Sequence, residues 1–130
     1  MAIKKILIAN RGEIAIRIAR AAADLDIQTV AIYSEDDDES LHIKIADESV
    51  CLDALGAKAY LDIKKIINIA EDTGCDALHP GYGFLSENSQ FAENCDQNDL
   101  TFIGPKKELL ELFGDKTRAR QAATEAGVPI

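Results

Sequence analysis

The chain has 130 residues, 47% hydrophobic and 28% charged, ordinary values for one domain that buries a core, and they exclude a disordered chain. No apolar stretch approaches the ~20 residues that a bilayer crossing needs. A net charge of −9 and a pI near 4.6 argue against a nucleic-acid surface, since phosphates demand a basic face.

The first residues, MAIKKILIAN, run straight into a strand pattern with no signal or transit segment. Cys51, Cys75 and Cys95 are widely spaced in apolar settings, without a C-x-x-C pair or zinc spacing. They read as reduced core thiols of a cytoplasmic protein.

In chain order, Lys4–Asn10 is a continuous apolar run, the mark of a strand covered on both faces. Gly12–Asp26 reads as a helix with Ile14, Ile18, Ala21, Ala22 and Leu25 on its inner face. Gln28–Ser34 is a second strand. The acidic run Ser34–Ser40 (SEDDDES) reads as a solvated loop, and a short helix follows near Ser40–Ala46, where His42 packs or meets solvent. Ser49–Leu52 is a third strand. Asp62 caps a helix with Ile63, Ile66, Ile67 and Ala70 inward, and Gly74 ends it. Cys75–Leu78 is a fourth strand. A helix from about Asn88 carries Phe91, Ala92 and Cys95 on one side, and Thr101–Gly104 is the last strand. Pro105 opens a helix to Phe113, and Asp115 caps another to about Ala126. Val128–Ile130 then turns extended, which reads as a chain cut from a larger one.

Strands alternating with helices at short intervals predict an α/β fold, a Rossmann-like, doubly wound and mostly parallel sheet. Ligands of such sheets sit beyond the carboxyl ends of the strands. Asn10–Glu13 (NRGE) and His79–Asn88 (HPGYGFLSEN) both occupy that edge. With Gly12 alone after Asn10, there is no G-x-G-x-x-G fingerprint, so a dinucleotide dehydrogenase is disfavoured. A receiver domain would need an acidic pair where Asn10–Arg11 stands. In HPGYGFLSEN, His79–Pro80 fixes the exit from the strand, Gly81 and Gly83 admit positive φ or close approach, and Tyr82 is pushed outward between them. A tight turn in which Tyr82 and Phe84 merely pack is the competing reading. His79 is mainly structural, since no nucleophile stands near it. Glu13, Arg17, Arg20 and Asp24 form a charged stripe on the first helix, with favourable i,i+4 pairs worth roughly 0.3–0.5 kcal/mol each.

HPGYGFLSEN, preceded by KILIANRGEIAIRIARA (Lys5–Ala21) and followed by FIGP (Phe102–Pro105) and GDK (Gly114–Lys116), resembles the N-terminal domain of biotin carboxylase. The same domain opens the biotin-dependent carboxylases of pyruvate, acyl-CoA and urea. TVAIYSE (Thr29–Glu35), ADE (Ala46–Glu48), Tyr60–Leu61 and AGVP (Ala126–Pro129) stand in the same order, so the resemblance covers essentially the whole chain.

The resemblance implies a Rossmann-like domain over residues 1–105 and a helical segment, 106–130, leading toward an ATP-grasp domain. The full enzyme would use MgATP and bicarbonate to make carboxyphosphate and would carboxylate biotin on a carrier domain. A carboxyltransferase would choose the final acceptor. Most nucleotide, metal and bicarbonate residues would lie after residue 130, so this chain alone should not turn over. Lys116 of GDK would contact ATP. A cation in the first turn of a helix opposes the macrodipole and gains from a nearby phosphate, although Asp115 could balance it instead. His79, Gly81, Tyr82 and Gly83 would line the cleft for biotin, and Arg17, Arg20 and Asp24 would lie in a homodimer contact. The corresponding domain of another ATP-grasp ligase, such as a carbamoyl-phosphate synthetase, and a stand-alone binding or assembly module remain the alternatives.

Overall fold

The computed structural model describes residues 3–104, and the apolar run near its start forms the middle of a sheet. β1 (Lys5–Ile8) lies between β2 (Gln28–Tyr33) and β4 (Ala77–His79), with β3 (Glu48–Cys51) outside β2 and β5 (Thr101–Phe102) outside β4. Every pairing is parallel. The chain starts in the middle, winds to one edge, crosses back and winds to the other. This is the expected doubly wound, Rossmann-like order. A central strand is covered twice, which is why it reads as unbroken apolar sequence. Leu7 and Ala9 face one layer, and Ile6 and Ile8 face the other.

The two layers differ in side-chain size. α3 (Ile63–Asp72), α4 (Ser89–Gln97) and the 3-10 turn Ala57–Leu61 press Ile66, Phe91, Cys95 and Tyr60 onto Leu7, Val30, Ile32 and Leu78. On the opposite face, α1 (Gly12–Asp24) presents Ala15, Ala19 and Ala22 to Ile6, Ile8 and Ala77. The short helix α2 (Leu41–Ile45) packs beside α1. Alanine methyls take little volume, so they permit a helix backbone to approach a sheet closely and gain dispersion contacts there.

That arrangement corrects the expected inner face of α1. Ala15, Ile16, Ala19 and Ala22 are buried, Ile14 and Ile18 are half-buried, Ala21 is exposed, and Leu25 is 71% exposed. The stripe lies one residue along from the expected one because the large aliphatics were weighted over the alanines. Leu25 is no longer helical, since it follows Asp24 and precedes Asp26 at φ +58°. β4 also starts later than Cys75. The Cys75 N–H closes the end of α3 on Ala70 O (2.9 Å), and the Asp76 carboxylate accepts from the N–H groups of Lys4 and Lys5 (2.8 and 3.0 Å).

The expected Asp62 cap is present, with Oδ1 accepting from Lys65 N–H (3.1 Å), and the helix expected from about Asn88 is capped by Asn88 itself, whose Oδ1 accepts from Phe91 N–H (2.9 Å). His42 packs rather than meeting solvent: its ring is 1% exposed, with Nε2 3.0 Å from Ile32 O. The cysteines are free thiols, and burial pushes Cys95 up to about 12 and Cys75 upward. Neither is poised as a nucleophile at neutral pH. Among the described residues, no helix is long and apolar enough to cross a membrane. The boundary expected at residue 105 and the helices expected after it lie outside the described residues.

The rotated face of α1 separates two substitutions in denaturant unfolding. Leu25→Ala should change stability by less than about 0.5 kcal/mol. Ala19→Leu, which forces volume into the close helix–sheet contact, should cost about 1–3 kcal/mol. Equal effects would return Leu25 to the core.

Candidate functional site

Because the strands are parallel, the segments leaving β1, β2 and β4 gather at one edge. Asn10, directly after the β1 ladder, is 1% exposed, and its carboxamide is fully used. Nδ2 donates to Pro80 O (2.8 Å) and to Tyr82 O (2.7 Å), and Oδ1 accepts from Arg11 N–H (2.8 Å). The orientation of the amide follows from its partners, since the opposite one would set its oxygen against two carbonyls. One side chain of NRGE thus holds the backbone of HPGYG.

Gly81 sits between the two captured carbonyls at φ +64°. A Cβ there would lie 2.7 Å from Ile14 Cγ2 and 2.8 Å from Asn10 Nδ2. It therefore serves both close approach and left-handed geometry. Gly83 has φ +70° with open space around it, so conformation alone calls for glycine there. Phe84 also takes positive φ (+48°), and its half-buried ring lies against Tyr60 with centroids 5.4 Å apart. Tyr82 points outward and is 78% exposed. Of the two aromatics, Phe84 packs and Tyr82 does not. His79 Nδ1 accepts from Gly81 N–H (3.1 Å), and burial lowers the pKa of the ring. In this contact Nδ1 is engaged as an acceptor inside its own loop.

Beneath this loop lies a polar cluster that the sequence reading did not find. Asp37, expected in a solvated run, is 6% exposed. Arg11 donates to it from Nε (2.6 Å) and Nη2 (2.5 Å), Tyr60 Oη donates to it at 2.6 Å, and Ser34 Oγ at 3.1 Å. Tyr60 Oη in turn accepts from Ser34 N–H (3.1 Å), and the Arg11 guanidinium lies 6.0 Å from the Tyr60 ring centroid. The Arg11 hydrogen bonds hold the Asp37 carboxyl at about 2, helped by Tyr60 and Ser34 against the opposing effect of burial. Burial and the bond to Asp37 raise the Tyr60 phenol. The available signal was spacing: Ser34 and Ser40 flank Asp37 at three residues on either side, an arrangement that lets serines bond the carboxylate.

His79, Gly81, Tyr82 and Gly83 are thus brought onto one loop. Arg17, Arg20 and Asp24 are exposed along α1. Neither Glu13–Arg17 nor Arg20–Asp24 is among the ion pairs of the described residues, which are Lys5–Glu48, Arg11–Asp37 and Lys65–Asp53. Lys116 lies outside the described residues. No three His, Cys, Asp or Glu side chains gather to hold a metal among the described residues.

The cluster has a pH signature. The folded carboxyl of Asp37 is depressed from 3.8 to about 2, so its contribution is fully present above the unfolded value and is lost as pH falls through about 2. Asp37→Asn should remove that part of the acid unfolding curve. Tyr60→Phe leaves the buried Ser34 N–H without its partner and should cost about 1–3 kcal/mol in urea. An acid limb in Asp37→Asn parallel to the original would contradict the assignment.

Residues 2–110 match the family model for the biotin carboxylase N-terminal domain. Over 98% of its length the chain is 58% identical to a pyruvate carboxylase of Staphylococcus aureus, of which it spans 11%. It is 51% identical, again over 98%, to biotin carboxylase 1 of Bacillus subtilis, of which it spans 29%. The solved biotin carboxylase domain of a thermophilic 2-oxoglutarate carboxylase, bound to ADP, superposes with a TM-score of 0.95 at 47% identity, covering 98% of this chain and 28% of that one. The chain therefore spans less than a third of each of these proteins. With the matched residues running through NRGE and HPGYGFLSEN, the chain belongs to the biotin carboxylase N-terminal domain family.

Proposed function

We propose that this chain is the N-terminal unit of a biotin carboxylase, in which ATP and bicarbonate carboxylate biotin on a carrier domain. ADP and phosphate leave, and a carboxyltransferase passes the carboxyl group to an acceptor. The observation that carries this reading is Tyr82, a side chain 78% exposed on a loop whose backbone is bound from below. A large ring held outward at the ligand edge gives up little conformational freedom on contact and offers a flat apolar face with a hydroxyl. Biotin, a fused bicycle with a polar ureido head, suits such a surface. Gly81, Tyr82 and Gly83 form one wall of the biotin cleft, with His79 bracing the turn. These groups bind, orient and exclude water, and proton transfer falls to groups further along the chain.

The nucleotide role falls to Lys116 and rests on GDK together with the ADP carried by the solved relative. Residues 1–105 form the Rossmann-like unit, and 106–130 lead toward the ATP-grasp domain. No step involving Mg2+ is assigned to the described residues, because they offer no cluster for it. Arg17, Arg20 and Asp24 form part of a homodimer contact, supported by their shared exposed face on α1 and by the absence of the within-helix pairs that would otherwise occupy them.

In the intact carboxylase, Tyr82→Ala should lower kcat/KM for free biotin about tenfold or more while changing the KM for ATP little. Biotin kinetics indistinguishable from those of the unsubstituted enzyme would defeat the assignment. Charge reversal at Arg17 and Arg20 should weaken the dimer in sedimentation, because long guanidinium side chains favour interface pairing. An unaltered dimer would return the stripe to solvent.

A further inference from the structure

We infer that Asn10 is a positioning residue for substrate recognition, acting through the place that its carboxamide gives Tyr82. This rests on the reading of Tyr82 as a wall of the biotin cleft. The geometry itself is independent of that reading. A side chain 1% exposed reaches 70 and 72 residues along the chain to two carbonyls that flank Gly81, and one of them belongs to Tyr82. Fixing a residue's own carbonyl fixes the base from which its side chain leaves. The remaining acceptor of the carboxamide takes Arg11 N–H, whose side chain binds Asp37. Asp37 holds the Tyr60 hydroxyl, and the Tyr60 ring supports Phe84, two residues past Tyr82. The loop is therefore tied on both sides of Tyr82 to the same two residues at the end of β1.

No other amino acid repeats the set of bonds at position 10. Aspartate keeps the shape but sets a second oxygen against the Pro80 and Tyr82 carbonyls, serine offers one short donor, and alanine offers none. A chain whose loop backbone has slipped keeps the Tyr82 ring but presents it from elsewhere, and misplacement on the order of 1 Å can cost about a hundredfold in rate.

The test is a double-mutant cycle in the intact carboxylase with Asn10→Ala and Tyr82→Ala, reading kcat/KM for biotin and the KM for ATP. Asn10→Ala alone should lower kcat/KM for biotin about ten- to a hundredfold and leave the KM for ATP within about twofold. In the Tyr82→Ala background it should add less than about twofold, since there is no ring left to position. An equal loss in both backgrounds would show a purely structural role and overturn the inference. A loss on Tyr82→Ala with none on Asn10→Ala would overturn it while leaving the proposed function standing. If Tyr82→Ala itself has no effect, that earlier reading fails instead, and Asn10 then has no recognition to position. Should the alanine variant not fold, Asn10→Ser enters the same cycle. In the unsubstituted chain, hydrogen exchange of the Asn10 carboxamide protons should be slow, and exchange at the rate of a free amide would overturn the inference without any variant.

Discussion

The Asn10 carboxamide is the contact on which the ligand edge depends. Two carbonyl oxygens, on Pro80 and Tyr82, converge on its single NH2 group, the first in a buried bond and the second in a partly buried one. A satisfied hydrogen bond contributes modestly to stability, but a buried carbonyl stripped of its partner costs about 1–3 kcal/mol. The loop therefore has a strong reason to keep this one shape. Gly81 follows from it: residue 81 must pass beside the amide at φ +64° with no room for a Cβ.

A second closure supports the first from below. Arg11, adjacent to Asn10, is tied to Asp37, which is tied to Tyr60, whose ring carries Phe84 back to the same loop. Two consecutive residues just past β1 thus anchor both the entry and the exit of the Tyr82 turn. Burying a carboxylate is costly unless it is paired and hydrogen-bonded, and Asp37 has Arg11, Tyr60 and Ser34 to offset that cost. The outcome is a division of labour along the backbone. The loop is held by hydrogen bonds to main-chain atoms and by Phe84, which leaves the Tyr82 side chain uncommitted and in solvent.

Much of the frame was legible because it is periodic or local. The unbroken apolar run of β1, the Asp62 cap, and the Phe91, Ala92 and Cys95 face depend on residues close in sequence, and each stands where its pattern put it. The α1 face was misread by one position because alanine signals burial weakly in sequence yet packs most closely on a sheet. Asp37 was misread because a run of acidic residues averages over its members, whereas burial selects one of them through partners 23 and 26 residues away. The outward Tyr82 followed from the two glycines around it. That Asn10 does the holding could not be read locally, although a lone amide at the end of a buried apolar strand was a visible anomaly.

The most direct test is a nuclear magnetic resonance measurement of scalar couplings across the hydrogen bonds of the Asn10 side chain. Couplings from its Nδ2 to the carbonyl carbons of both Pro80 and Tyr82 are expected, together with an Arg11 amide signal that shifts on Asn10→Ala. Absence of both couplings, with the Asn10 amide exchanging as freely as an exposed asparagine, would contradict the claim that this carboxamide holds the ligand edge together.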